Sequence, residues 1–237
     1  MERLLMNELI ASREIQFEVE AKVDLFKQEF AKLGYVKLTS FFTQDVIDSL
    51  IQESYRLLDT HAKRKDFLMD ETNFTPRKIS TVSGHVIDKE SQLISDLYCN
   101  EGVLNFLEEI ANVRLFETPD VADKHAIHKL HRKNDIHGGH VDTYPFVLIT
   151  CLESPGQDGG GELEFVPNSL NLEDLGTEKA IRDTLKVGES YFMHASESVH
   201  RVLPLVKDTN RTVLVFTYAD QQSKNIEVSY SSNKLYD

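Results

Sequence analysis

The chain has 237 residues, of which 41% are hydrophobic and 27% charged, a composition typical of a globular protein with a sizeable core. Its formal net charge of −13 at pH 7 argues against nucleic acid or an anionic membrane as a principal partner, because both select basic surfaces. No apolar stretch approaches the roughly 18 residues needed to cross a bilayer, and the charged N-terminus has no signal-peptide core, so we expect a cytoplasmic protein.

The first third of the chain has the pattern of helices. Five apolar residues recur at intervals of four and three, which predicts an amphipathic helix with one apolar stripe. They are Val19, Val23, Phe26, Phe30 and Leu33. Gly34 is a natural end for this helix, a short strand follows at 35–38, and Thr43 is a natural cap for a second helix to about residue 58. The apolar stripe packs either on the rest of the chain or on a second copy in a homo-oligomer.

The next segment, 61–90, is polar and contains Pro76 and Gly84. It predicts a loop or lid with a short strand near 78–82. Two short helices are expected near 90–97 and 102–110. Residues 1–112 are therefore expected to form a mostly helical buttress and lid.

From residue 113 onward the pattern changes to short strands separated by turn signals. Strands are expected at 113–116, 125–131, 145–152, 161–166, 190–193, 199–203 and 211–218. Many short strands without intervening helices favour a sandwich or barrel such as a jelly roll. We expect an α+β, mainly β fold in one domain, 1–237, with a core at 113–219, the N-terminal helices as a buttress and a tail at 220–237. Cys151 lies in one apolar strand, and the only other cysteine is Cys99, so reduced, buried thiols are expected.

The most informative residues are His140, Asp142 and the distant His200. In an extended backbone the first two side chains share one face, and a second strand can supply the third ligand. Two imidazoles and one carboxylate, without a thiolate, suit a first-row metal such as Fe(II) and leave coordination positions open. The pattern therefore predicts a metal site at these three residues.

An arginine opens the last apolar strand. Arg211 lies eleven residues after His200, and alternation places it on one face with Val213, Val215 and Thr217. An arginine on an inward face is costly unless paired, and no carboxylate nearby in sequence is an obvious partner, so we expect it to bind a ligand carboxylate.

Seven other histidines compete with this assignment. His128 and His137 are candidates for contacts with co-substrate or substrate. Surface or core positions without a metal are expected for His61, His85, His125, His131 and His194.

Two stretches, 137–169 and 185–219, resemble the opening and closing segments of the iron(II)/2-oxoglutarate-dependent oxygenases. The resemblance implies a double-stranded β-helix and an iron held by His140, Asp142 and His200. It also implies that 2-oxoglutarate pairs with Arg211, with His128 beside it. The family uses O₂ and 2-oxoglutarate to hydroxylate an unactivated C–H bond, releasing succinate and CO₂, and ascorbate supports the activity.

The phrases HGGHVDTYP and GGELEFVPNS are similar to a smaller group, the BesD-like free-amino-acid halogenases and hydroxylases. In its halogenases a glycine replaces the metal carboxylate, whereas Asp142 is present here, which favours hydroxylation. By position, Arg77 matches a residue that holds a substrate α-carboxylate, and Asp123, His137 and Thr217 match polar groups around the substrate. A basic amino acid such as lysine or ornithine is implied. Lysine-specific relatives close the pocket with C-terminal tryptophans, which this chain lacks, although Tyr230 and Tyr236 are possible replacements.

Other functions stay open on the sequence alone. The same iron chemistry can hydroxylate, desaturate or cyclise another small metabolite, and a protein-modifying oxygenase would need an open groove. A cupin-like isomerase would have a denser His/His/Glu motif. A non-catalytic metal-binding sensor on the same barrel would be expected to lose a ligand or the arginine, and all four residues are present.

Overall fold

The computed structural model describes residues 22–236. The helices are α1 (Val23–Leu33), α2 (Gln44–His61), α3 (Gly84–Glu90), α4 (Gln92–Tyr98), α5 (Glu101–Ala111), α6 (Val121–Lys124) and α7 (Ser232–Leu235). The strands are β1 (Tyr35–Leu38), β2 (Lys63–Met69), β3 (Thr75–Val82), β4 (Phe116–Glu117), β5 (His125–Leu130), β6 (Ile136–His140), β7 (Phe146–Glu153), β8 (Leu163–Val166), β9 (Ile181–Asp183), β10 (Ser190–His194), β11 (Val199–Val202) and β12 (Arg211–Ala219). No described helix is long and apolar enough to cross a membrane.

The N-terminal helices form where the sequence predicts them. Gly34 ends α1 in the left-handed conformation, with φ 58° and its N–H on the Phe30 carbonyl. The Thr43 side chain accepts a hydrogen bond from the Val46 N–H and caps α2. Phe30 is buried and stacks on Phe192 of the sheet at 4.9 Å, so the apolar stripe of α1 packs on its own chain. Val19, the first residue of the predicted stripe, lies outside the described residues.

In the polar segment 61–90 the short strand predicted near 78–82 is present within β3, but most of the predicted loop is regular structure. Strands β2 and β3 form a seven-pair antiparallel hairpin, from Lys63–Thr81 to Met69–Thr75, and α3 follows. Strand β2 was not predicted because its sequence is rich in charged residues. It tolerates them because it lies at the edge of the sheet with only part of its surface covered. Both thiols were expected to be buried. Cys151 is buried, but Cys99 is exposed.

The strands form one antiparallel sheet that curls on itself in the manner of a jelly roll. Its order is β1-β10-β7-β12-β5-β3-β6-β11-β8-β9, with β2 on β3 and β4 on β12. Strand β3 joins the two halves, pairing through Ser80–Val82 with β5 and through Arg77–Lys78 with β6. The fold class predicted from the sequence is confirmed.

The two faces of the sheet have different partners. Leu214, Phe216 and Tyr218 of β12 face the helices and share a core with Leu50, Leu97 and Leu107. The alternate residues of β12 face the interior of the curled sheet. The helical layer therefore seals one face, and the other face encloses the candidate site.

Candidate active site

The two halves of the sheet bring the predicted metal ligands together. His140 ends β6, Asp142 follows it by two residues, and His200 lies directly opposite His140 in the β11–β6 pairing. One Oδ1 of Asp142 lies 3.4 Å from His140 Nε2 and 3.8 Å from His200 Nε2. One ligand atom from each residue lies within 4.8 Å of the others. Residues 60 positions apart in sequence thus form one cluster.

Hydrogen bonds orient both imidazoles. Nδ1 of His140 donates to the Gly138 carbonyl at 2.8 Å, and Nδ1 of His200 donates to the Ser198 carbonyl at 2.9 Å. Each Nε2 is left with a lone pair directed at the other ligands. The Asp142 N–H donates to the Ala195 carbonyl at 3.1 Å, which fixes the backbone of the third ligand. The donor set and its orientation fit a divalent first-row metal with open positions.

Burial sets the protonation of these groups. It lowers the pKa of His200 to about 4 and that of His140 well below its usual value, so both rings are neutral at pH 7 and able to ligate. Burial also raises the pKa of Asp142 to about 7, although the nearby Arg77 opposes this change. A metal cation at this position would hold the carboxylate in its ionised form.

Arg211 is buried at the start of β12 and lines the same pocket as the metal cluster. Val213, Val215 and Thr217 line it too, as the period-two pattern predicted. Within residues 22–236 the Arg211 guanidinium forms neither a hydrogen bond nor an ion pair. It is therefore an available cation on the inner wall of the pocket.

A second buried cation lies across the pocket on β3. Arg77 is 1% exposed, and Nη1 donates to Thr75 Oγ1 at 2.9 Å and to the Pro76 carbonyl at 3.2 Å. Its Nε has no hydrogen-bond partner, and no carboxylate of residues 22–236 forms an ion pair with it. Burial lowers the pKa of Arg77, and the nearby Tyr230 and Asp142 oppose this change.

The other predicted site residues line the same pocket, which we call the catalytic pocket. These are Asp123, His128, His137 and Thr217. Burial and then the Asp142 charge raise the pKa of Asp123 to about 7. The His137 ring stacks on His140 at 4.4 Å, and His128 Nε2 is 3.1 Å from the Tyr236 hydroxyl. All nine residues singled out in the sequence therefore meet in one cavity, whereas none of the five histidines set aside lies there.

The tail after β12 forms the cover of this pocket. Tyr230, Ser231, Leu235 and Tyr236 line it. The Tyr230 hydroxyl donates to the Val141 carbonyl at 2.7 Å, between the two adjacent ligands. The sequence indicated that these two tyrosines are available, but not that the tail folds back through α7 to place them.

Sequence reasoning missed Tyr191 of β10, which is fully buried and lines the catalytic pocket. Burial raises its pKa well above the usual value, so the hydroxyl is neutral and available as a donor. The alternation in β10 was the available signal, because Phe192 packs on the helices and Tyr191 must then face inward.

The model of the family described as "HalD: Halogenase D" matches residues 19–236. Among solved structures, a prolyl hydroxylase from Trichoplax adhaerens, in complex with a hypoxia inducible factor peptide, aligns with a TM-score of 0.68 at 12% identity, covering 93% of this chain and 99% of that one. The non-heme alpha ketoglutarate dependent epimerase SnoN from nogalamycin biosynthesis aligns with a TM-score of 0.65 at 17% identity, covering 85% and 82%. HygX from Streptomyces hygroscopicus, with nickel, 2-oxoglutarate and hygromycin B bound, gives 0.57 at 13% identity, covering 82% and 86%.

No protein with a curated description matches the chain by sequence. At these identities the solved structures establish the fold, and the family model, which spans nearly all of the chain, establishes the relationship. The chain is a member of the Halogenase D family of enzymes, built on the fold of the 2-oxoglutarate-dependent oxygenases.

Proposed function

We propose that the chain is an iron(II)- and 2-oxoglutarate-dependent oxygenase that hydroxylates an unactivated C–H bond of a free amino acid. The observation that carries this proposal is one pocket with a His-Asp-His cluster and the unpaired guanidinium of Arg211. Solved relatives of the same fold support the choice of metal and co-substrate, since one binds Fe³⁺ with alpha ketoglutarate and another binds nickel with 2-oxoglutarate.

His140, Asp142 and His200 would hold the metal, with their donor atoms already converged. Bound iron(II), with 2-oxoglutarate and O₂, supplies the oxidation that turns the C–H bond into an alcohol and releases succinate and CO₂. Arg211 would hold the distal carboxylate of 2-oxoglutarate in bidentate fashion, and the Tyr191 hydroxyl lines the same wall. The cover formed by Tyr230 and Tyr236 excludes water from the reacting groups.

A zwitterionic amino acid fits the remaining charges of the catalytic pocket. Arg77 is a buried cation that lacks an anionic partner among the described residues, and a substrate α-carboxylate would supply one. Asp123 is an acid whose burial raises its pKa to about 7, and a substrate ammonium beside it would favour the ionised form. His137 and Thr217 line the same pocket. We propose a basic amino acid, such as lysine or ornithine, with Asp123 of the pocket lining as the partner of one of its ammonium groups.

Halogenation is the second candidate, and the description of the matching family favours it. The Asp142 carboxylate opposes it. This side chain lies beside both histidines, so a halide would have to displace a carboxylate ligand to bind the metal. Hydroxylation is therefore the activity we propose. Replacement of Asp142 by glycine opens a place for halide, but we expect poor halogenation without further changes in the pocket.

The test is an aerobic incubation with Fe(II), ascorbate and 2-oxoglutarate against the common amino acids, with and without chloride, read by mass spectrometry. We expect a gain of one oxygen on one amino acid, coupled to succinate. Asp142→Ala removes a ligand and is expected to abolish both products, so full activity in this variant would refute the site.

The other outcomes separate the alternatives. Succinate without a modified amino acid would retain the iron chemistry and overturn the free-amino-acid substrate. A chlorinated product from the wild-type chain would favour the second candidate. Iron binding without any succinate would favour a sensor or an isomerase.

A further inference from the structure

A second cavity lies behind Arg211, and the catalytic chemistry does not use it. We call it the rear cavity. Its volume is about 470 Å³, against about 70 Å³ for the catalytic pocket. A volume of roughly 300–1,000 Å³ is typical of cavities that admit small metabolites. The 154–161 loop and the 183–186 segment form its outer wall.

The two cavities share a wall. Leu163, Tyr191, Arg211 and Val213 line both. Arg211 therefore borders both cavities, whereas the metal cluster and the substrate groups Arg77 and Asp123 line only the catalytic pocket.

The backbone of the loop keeps this approach open. Gly161 has φ +77°, and a Cβ there would lie 3.0 Å from Cδ of Arg211 and 3.1 Å from Leu205. A side chain at this position would crowd the arginine, and most residues would also strain the left-handed backbone. Gly160, with φ +76°, lines the same cavity.

The opposite side of the catalytic pocket is closed by the tail. Tyr144 donates to the Ile226 carbonyl, Ser229 N–H donates to Asp120 at 2.7 Å, and Thr81 donates to the Leu235 carbonyl at 3.1 Å. Lys234 then pairs with Asp70 and Glu71 at the tip of the β2–β3 hairpin. These contacts hold the tail over that side of the catalytic pocket.

The charge around the rear cavity suits a dicarboxylate. Lys186 is exposed at its wall, and its ammonium pairs with no carboxylate of residues 22–236. The nearby Asp183 is already paired with Lys37 at 3.0 Å and accepts a hydrogen bond from Tyr35. In a chain of net charge −13, a free lysine beside the approach to Arg211 makes this route the more attractive one for an anion.

We propose that the rear cavity is the passage by which 2-oxoglutarate reaches Arg211 and succinate leaves, separate from the substrate entrance under the tail. The inference rests on the proposed function, because it concerns the co-substrate of that same site. It gives the co-substrate a route that a bound amino acid does not block.

The steric test is Ser154→Phe, with Ser154→Ala as its matched control. Ser154 lines the rear cavity and donates to the Leu185 carbonyl at 3.0 Å, so alanine removes that bond without adding bulk. Association and dissociation of 2-oxoglutarate are followed anaerobically by stopped flow on the Fe(II)-loaded protein, from the visible absorption of the chelated 2-oxoacid. We expect phenylalanine to slow both rates at least about tenfold while the Kd changes little, because a narrowed passage acts on both directions. Alanine is expected to retain wild-type rates.

The charge test is Lys186→Glu, with Lys89→Glu as its control. Lys89 is exposed on α3, lines neither cavity and undergoes the same change of charge. We expect Lys186→Glu to slow association several-fold at low ionic strength, with the difference shrinking as salt is added, and Lys89→Glu to have little effect.

A third variant distinguishes the two routes. Lys234→Glu breaks the contact of the tail with the hairpin tip and is expected to leave 2-oxoglutarate association unchanged. Faster association in this variant, together with wild-type rates in Ser154→Phe, would overturn the inference while the proposed function stands. Absence of the absorption in the wild-type protein would overturn the proposed function and this inference with it.

Discussion

The hydrogen bonds of the two histidines explain why the ligand cluster is already assembled. Each Nδ1 donates to the carbonyl two residues earlier, at Gly138 and Ser198, so the strand that carries the ring also sets its orientation. This short-range device needs no other side chain. It follows that the geometry of the metal site depends on the β6–β11 pairing more than on contacts within the pocket.

The proposed role of Arg211 can be tested by replacing this single residue. In the proposed function, Arg211→Ala removes a bidentate partner of the co-substrate but no metal ligand. We expect the Kd for 2-oxoglutarate to rise about 10- to 100-fold, which is the range for a lost charge-assisted pair, while metal affinity changes little. Anaerobic titration measures the first quantity and competition with a chelator measures the second. Arg211→Lys is expected to recover part of the affinity, and an equal loss of both affinities in a folded variant would mean that Arg211 is structural.

The residues of the site were largely predictable from the sequence because their chemistry is rare. Two histidines, one aspartate and an inward arginine form a set that spacing and strand alternation could identify. Tyr191 and the covering tyrosines were harder, since a tyrosine in an apolar strand is ordinarily part of the core. Only the position of the tail shows that Tyr230 contacts Val141, between His140 and Asp142, and that Tyr236 lines the same pocket.

Among the elements, the small strands around His200 depend on one buried acid. Glu164 of β8 has 0% exposure and lies between Arg182 of β9 and Arg201 of β11. Nε of Arg182 donates at 2.8 Å and Nε of Arg201 at 2.6 Å, so each carboxylate oxygen has a guanidinium partner. The pairing fixes β11, and therefore His200, from the side away from the pocket.

Removal of this acid should be costly. Glu164→Ala leaves two cations without an anion, and we expect the free energy of unfolding to fall by about 3 kcal/mol, as for a broken buried ion pair. Arg182 can regain water because it is largely exposed, so the loss belongs at the lower end of that range. Urea unfolding measures it, with exposed Glu178→Ala as the control. A loss below about 1 kcal/mol would mean that the cluster behaves as a surface pair.

The strands that the sequence did not predict are those whose residues lack the apolar alternation of a buried strand. Strand β6 reads Ile-His-Gly-Gly-His, without the apolar alternation by which strands are recognised, because its inward residues serve the site. Strands β2 and β9 lie at edges, where one face contacts solvent and charged residues are tolerated. The strands that were predicted, such as β7 and β12, are buried on both faces and are mainly apolar.

At the scale of the whole molecule, buried neutral histidines couple stability to pH. His125 is fully buried between the sheet and α4, and burial lowers its pKa to about 4 although the Asp88 carboxylate lies 3.1 Å away. In the unfolded chain a histidine has a pKa of about 6.5. Between these values the unfolded state binds a proton that the folded state does not, so stability falls as the pH drops from about 6.5 towards 4.

His125→Phe removes the group that binds this proton in the unfolded state. Between pH 7 and pH 5 we expect the variant to lose about 2 kcal/mol less stability than the wild type, whatever its stability at pH 7. Denaturant unfolding at the two pH values measures the difference, and the exposed His85→Phe is the control for loss of a histidine as such. Identical pH dependence in wild type and His125→Phe would show that folding does not change the pKa of His125.

The position of β3 has a mechanical consequence. Among the described strands, β3 alone links the half of the sheet that carries β5 and β12 to the half that carries β6 and β11. Arg77 lies on this strand, so a carboxylate bound by its guanidinium would contact the strand that joins the two halves. Within the sheet, the hydrogen-bonded path from Arg211 of β12 to the histidines of β6 and β11 runs through β3, where Arg77 is proposed to bind the substrate. An occupied pocket is therefore expected to be stiffer than an empty one.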